Sequence, residues 1–114
     1  MSVQTSTAGD VLVLIVATLD GMERAALRNL VQEQIENGLR KTVLDLSRVD
    51  LIGSTGIGSI VACHVAMTRE GGELCLAGAG EKISRCLRIT GLDNVFKTFA
   101  TKQEALRYFE HQQN

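Results

Sequence analysis

The chain reads as an α/β domain with a largely parallel sheet. Three observations predict it. Short apolar runs alternate with helix-periodic segments from one end to the other. Gly38, Gly71-Gly72 and Gly91 stand where helical segments stop. No proline, linker, repeat or low-complexity tract divides the sequence. At 114 residues and 45% hydrophobic, there is material for one sizeable core, so residues 1–114 form a single domain.

Each element follows from its pattern. Residues 2–7 predict an edge strand, turned by Ala8-Gly9-Asp10 into an unbroken apolar run over 11–17 that suits a central strand. A helix is expected over 22–38, with Leu27, Leu30, Val31 and Ile35 inward and Arg28, Gln32, Glu33 and Glu36 in water. Asp20 and Glu23 look like its capping pair, and Gly38 its stop. Residues 42–46 are the next strand, 55–69 a helix, and 73–77 a short strand. A helix over 81–90 turns Ile83, Cys86 and Leu87 inward, and 95–99 is the last strand. Thr101 with Glu104 forms a capping box that opens a final helix burying Leu106 and Phe109. The sum is a mostly parallel sheet with an antiparallel edge hairpin and about four helices.

Composition narrows function. A net charge of −1 with twelve dispersed basic residues supplies no patch for nucleic acid, and 4% aromatics leaves few stacking platforms. Cys63, Cys75 and Cys86 are odd in number and far apart, which argues against a disulfide framework and zinc and fits a reducing cytoplasm. The first ten residues lack the basic start and apolar stretch of a signal peptide. Residues 51–68 carry no Asp, Glu, Lys or Arg, yet hold too many small and polar groups for insertion in lipid.

The most informative segment runs from Asp45 to Gly58. An apolar strand stops at Gly53-Ser54-Thr55-Gly56, and a helical pattern begins at once. Ser54 thus stands at a helix start, where unpaired N–H groups and the positive dipole end favour an anion, and a serine there suits a covalently attached phosphate. On a helical wheel Ile57, Ile60, Val61 and His64 share one side, expected to meet the sheet. Ser59, Ala62, Cys63 and Ala66 share the other, small and uncharged where a surface helix normally carries Lys and Glu. That second face suits either protein docking or cover by another helix of the domain. Glycines 53, 56 and 58 also resemble a dinucleotide-binding loop. The strand that follows, however, ends in Leu-Ala-Gly with no acidic residue for a ribose, and no Walker lysine is present.

The run Asp45-Leu46-Ser47, Val49-Asp50 and Gly53-Ser54-Thr55-Gly56-Ile57-Gly58 resembles the signature of the STAS domain family, specifically bacterial anti-sigma factor antagonists. Leu19-Asp20, Gly71-Gly72-Glu73-Leu74 and Thr90-Gly91-Leu92 agree with it, so the resemblance covers nearly the whole chain. It implies a four- or five-stranded sheet flanked by helices and a partner-switching role without enzyme activity, cofactor or metal. By that likeness Ser54 is phosphorylated by a serine kinase that doubles as the anti-sigma factor. The unmodified form binds the kinase and frees the sigma factor, the phosphorylated form lets go, and a PP2C-type phosphatase resets it. Partner contacts implied by the motif, the wheel and the family together are Asp20, Gly53, Thr55, Gly56, Ile57, Gly58, Ser59 and Cys63. Where the family usually has an aspartate before the acceptor serine, this chain has Gly53. That departure motivates a second reading, a non-phosphorylated STAS interaction module or a subunit of a signalling or transporter assembly. Thr55 is a rival acceptor or a helix cap, His64 a satisfied core histidine, and His111 lies near the C-terminus without a companion.

Overall fold

Strand β2 (Val11–Val16) has no polar face, which suits only a strand covered on both sides. Leu12, Leu14 and Val16 enter one core, and Val11 enters another. The computed structural model describes residues 3–18, 23–50 and 52–111. It contains a five-stranded sheet in the order β1-β2-β3-β4-β5. β1 (Val3–Ala8) is antiparallel to β2 across the Gly9-Asp10 turn. β3 (Lys41–Asp45), β4 (Glu73–Ala77) and β5 (Lys97–Phe99) continue the sheet in parallel.

Sequential strand order with right-handed crossovers puts the three connecting helices on one face. These are α1 (Glu23–Glu36), α2 (Ser54–Arg69) and α3 (Glu81–Ile89). Leu27, Val31 and Ile35 of α1, Ile60, Cys63 and Met67 of α2, and Ile83 and Leu87 of α3 share a core with Leu44, Leu74 and Leu76. α4 (Lys102–His111) takes the opposite face, where Ala105 and Phe109 pack on Val11, Val43, Cys75 and Ala77. Thr101 caps it, the Glu104 amide donating to Oγ1 at 3.2 Å.

Both α1 and α2 end in a glycine-dependent stop. Gly38 and Gly71 hold φ of 90° and 77°. The next residues' amides reach back five positions, Leu39 to the Gln34 carbonyl and Gly72 to that of Met67, each at 2.9 Å. Arg40 ties the two ends together. Its Nη1 donates to the carbonyls of Ile35 (2.8 Å) and Leu39 (3.1 Å), and its Nε to that of Glu70 (3.0 Å).

Three expectations change. The last strand begins at Lys97 rather than at residue 95, because Leu92–Asn94 closes a 3-10 turn whose Leu92 carbonyl accepts the amides of Val95 and Phe96. In α4 the inward pair is Ala105 and Phe109, one helical turn apart, and Leu106 is only half-buried. Cys86 is likewise half-buried. The Asp20–Glu23 cap and the Leu19-Asp20 pair lie outside the described residues, Glu23 entering by its backbone alone. Among the described residues no helix is long and apolar enough to cross a membrane.

Candidate functional site

The site grows from the end of β3. Asp45 is 8% exposed, and its Oδ1 accepts the Ser47 amide at 2.9 Å, which turns the chain out of the strand. The Leu46 amide donates to the Ala77 carbonyl and the Val49 amide to that of Leu46, so the turn is tied to β4 before α2 begins. Gly53 is the N-cap of α2, extended at φ −99° and ψ −175°, with no side-chain cap bond and no acidic residue in the first turn. Its carbonyl accepts the Ile57 amide at 3.0 Å. The conformation does not require glycine, and a Cβ at position 53 would meet nothing within 4 Å.

Ser54 is the first helical residue and is exposed. Thr55, exposed at the second position, does not cap the helix; that place belongs to Gly53. Gly56 and Gly58 lie inside α2 rather than in a loop before it, so the three glycines form no phosphate-cradling loop.

The rotation of α2 corrects the wheel. Its buried residues are Gly56, Ser59, Ile60, Cys63 and Met67. Ser59 and Cys63, expected on a docking face, are 0% and 1% exposed. The Ser59 hydroxyl is spent on the Thr55 carbonyl at 3.1 Å. Burial raises the Cys63 thiol to about 11, against the opposing charge of Arg28, so it stays protonated at neutral pH. Ile57 and Val61, expected on the sheet, are only half-buried, and Ile60 alone of the apolar trio is fully inside. The physical reason is space. Small residues sit where α2 must lie close to its neighbours, and bulkier ones are displaced sideways.

What faces outward is a groove of about 880 Å³ lined by α1 and α2. Ser54, Ile57, Gly58, Val61, Ala62 and Val65 line it from α2, and Arg28 and Gln32 from α1. Ala62 and Ala66 line it as expected, while Arg28, Val65 and Arg69 escaped sequence reasoning. For Val65 and Arg69 the signal was available: inward Cys63 and Met67, four apart, place 58, 61, 62, 65 and 69 on the other side. Val65 is 37% exposed.

Other candidates fall away from this groove. His64 is half-buried, packed edge-on against Phe96 with ring centroids 5.0 Å apart, and its buried Nδ1 has no hydrogen-bond partner among the described residues. It is therefore not the satisfied core histidine expected. Among the described residues no group of three His, Cys, Asp or Glu is placed to hold a metal ion.

Comparison with known proteins agrees with the geometry. The family model "STAS domain" matches residues 2–105. A Thermotoga maritima protein provisionally named an anti-sigma factor antagonist is 35% identical over 74 residues, 65% of this chain and 66% of that protein. The anti-sigma-F factor antagonist RsfB of Mycobacterium tuberculosis is 28% identical over 88 residues, 77% of this chain and 71% of its own length. The crystal structure of the Thermotoga maritima protein superposes with a TM-score of 0.84 at 28% identity, covering 93% of this chain and 92% of that one. The matched model, the five-stranded sheet and the serine that opens α2 agree, and the chain belongs to the STAS domain family.

Proposed function

We propose that this protein is an anti-sigma factor antagonist working by partner switching at Ser54. The carrying observation is the placement of an exposed hydroxyl, at the first residue of α2, on the rim of a groove whose α2 wall is uncharged from Ile57 to Ala66. In the unmodified state the surface of Ser54, Thr55, Ile57, Gly58, Val61 and Val65 docks an anti-sigma factor that is itself a serine kinase, and the sigma factor is released. The kinase then moves the γ-phosphoryl group of a nucleoside triphosphate to Ser54. The Oγ–P bond forms, the bond from that phosphorus to the β-phosphate oxygen breaks, and the hydroxyl proton passes to a base on the kinase. A PP2C-type phosphatase hydrolyses the ester and resets the cycle.

Magnitudes support such a switch. The phosphate adds about −1.5 to −2 charge, in an interface where each desolvated ion costs several kcal/mol. Moving a complex from mostly bound to mostly free takes roughly 5.5 kcal/mol of differential affinity. The helix dipole returns only about 0.3–1 kcal/mol, so release wins.

The test is a paired capture from the native lysate, wild type against Ser54→Asp, read by mass spectrometry. A serine kinase of the anti-sigma type, held by wild type and lost by the variant, is the expected result. Equal capture by both proteins refutes the phosphoswitch. It would favour the second reading, a STAS interaction module without phosphorylation, which Gly53 motivates: its backbone would accept an aspartate, so the change is chemical rather than conformational.

A further inference from the structure

The two edges of the sheet are built differently. β5 is three residues long and opens with the exposed Lys97, which suits an edge that must not take another strand. β1 is six residues long and pairs with β2 without a bulge, and among the described residues it pairs with no other strand. Gln4, Thr5, Ser6, Thr7 and Ala8 are all exposed. That stretch carries no charge and no proline, so none of the usual devices protects this edge. The turn fixes which backbone groups are free. Gly9, at φ 62°, and Asp10 form a two-residue hairpin turn, so Ala8 and Val11 exchange both their backbone bonds. The alternation of an antiparallel ladder then turns the backbone groups of Ala8, Ser6 and Gln4 toward β2, and the amides and carbonyls of Thr7 and Thr5 outward.

We propose that β1 pairs antiparallel with β1 of a second copy of this chain, about a two-fold axis at Ser6. Thr5 of each copy then lies opposite Thr7 of the other, and their outward amides and carbonyls satisfy one another. Gln4 faces Ala8, and Ser6 faces Ser6. Every one of these cross-strand pairs is uncharged, and opposed threonines are a favourable pair. Charge is what decides for a copy. A two-fold axis sets the exposed stretch against itself, so charges of one sign in it would repel, and here there are none. Nor does the stretch offer a charge that would select a different chain. The pairing joins two five-stranded sheets into one. No residue of β1 lines the groove beside Ser54, so the proposed docking surface is not consumed. One strand pair is small beside the roughly 1,200–2,000 Å² of stable interfaces, so the dimer forms and separates with concentration.

Sedimentation velocity on the full chain, from micromolar to millimolar concentration, is the test. Wild type should pass from the monomer to twice its mass. Thr5→Pro removes a donor that β2 does not use, and Ser6→Lys sets two like charges opposite each other across the axis. Each should weaken dimerisation at least about tenfold, with amide spectra showing that the protomer keeps its fold. Thr5→Val keeps the amide and adds no charge, so it should dimerise as wild type does. Amide exchange locates the contact. In wild type the Thr5 and Thr7 amides should slow as concentration rises and quicken on dilution, whereas those of Gln4, Ser6 and Ala8, already bonded to β2, should not respond. A monomeric mass up to the highest concentration overturns the proposal and leaves the edge to a strand of another protein. A dimer that tolerates either Thr5→Pro or Ser6→Lys overturns it too, as does one in which the Thr5 and Thr7 amides exchange alike at every concentration.

Discussion

Replacing Gly53 by Asp tests how the start of α2 is built. Three N–H groups, those of Ser54, Thr55 and Gly56, precede the first amide that bonds within the helix, and no side chain or first-turn acid serves them. The backbone at 53 already has the extended geometry of an N-cap, and a Cβ there has open space around it. An aspartate would therefore add a capping bond worth a few tenths of a kcal/mol over glycine. It would also add a favourable charge at the dipole worth about 0.3–1 kcal/mol, and restrict the unfolded chain by about 0.4–1 kcal/mol. Together the gain is about 1–2 kcal/mol, and Tm should rise by roughly 4 °C per kcal/mol in a domain of this size. The sign with pH follows from the cap. It stabilises the ionised carboxylate, so the folded-state pKa falls below the unfolded value of about 3.9; the charge-dependent part of the gain is full above that value and lost as pH drops through the folded one, leaving the chain-entropy part. Thermal unfolding of both proteins at neutral and acidic pH is the assay. A Tm that stays level or falls at neutral pH refutes the reasoning, as does a gain that is undiminished in deep acid. Phosphoserine at 54 should shrink the gain, because a dianion would then stand beside the new carboxylate.

Further predictions concern the frame around the groove. Gly72→Ala places a Cβ 2.6 Å from the Met67 sulfur and closer still to the Arg40 carbonyl, which accepts the Glu73 amide; urea unfolding should show a loss of about 1–3 kcal/mol. Thr42 is 0% exposed and its Oγ1 has no partner among the described residues, so Thr42→Val should raise the urea midpoint by about 1 kcal/mol equivalent, and a lower midpoint would count against it. Tyr108 is the chain's single tyrosine; burial and its bonds to both Glu73 oxygens (2.8 and 2.7 Å) push its phenol up to about 12. The native fold thus prefers the protonated phenol, a contribution present below pH ~10 and lost as pH rises from there toward 12, and ultraviolet titration of wild type against Glu73→Gln should show the midpoint fall in the variant.

The elements that were legible in the sequence are those in which one residue pattern has one physical use. Val11–Val16 has no polar face, so it had to be a central strand, and Thr101 with Glu104 is a cap in any helix it begins. Ser54 was legible for the same reason, because glycines on both sides of a serine leave few alternatives to a helix start. The end of the chain was harder. Val95 and Phe96 are as apolar as a strand requires, yet the preceding turn captures both amides and delays β5 to Lys97. Arg40 was invisible because its partners are the carbonyl oxygens of residues 5 and 30 positions away, which no side-chain pattern records.

The misphased wheel of α2 is the more instructive failure. Hydrophobic size was equated with depth, so Ile57, Val61 and His64 were turned inward and Ser59 and Cys63 outward. Depth in α2 follows closeness of approach instead: a helix wedged between a sheet and a second helix needs small atoms at its tightest contacts. Gly56, Ser59 and Cys63 supply them, with Ile60 and Met67 filling the wider gaps. The sequence left two uses open for the small residues, cover by a neighbouring helix or display to a partner. The structure divides them, because α1 packs on α2 while Ile57, Val61 and Val65 remain on an open wall, apolar along the middle of α2, with Arg28 on the α1 side and Arg69 and Glu70 at the far end. An apolar wall of that kind has little to gain from water and much to gain from a partner. In the proposed switch, a phosphate on Ser54 would bring a charge to the rim of that wall, and it is the desolvation of this charge that would work against docking.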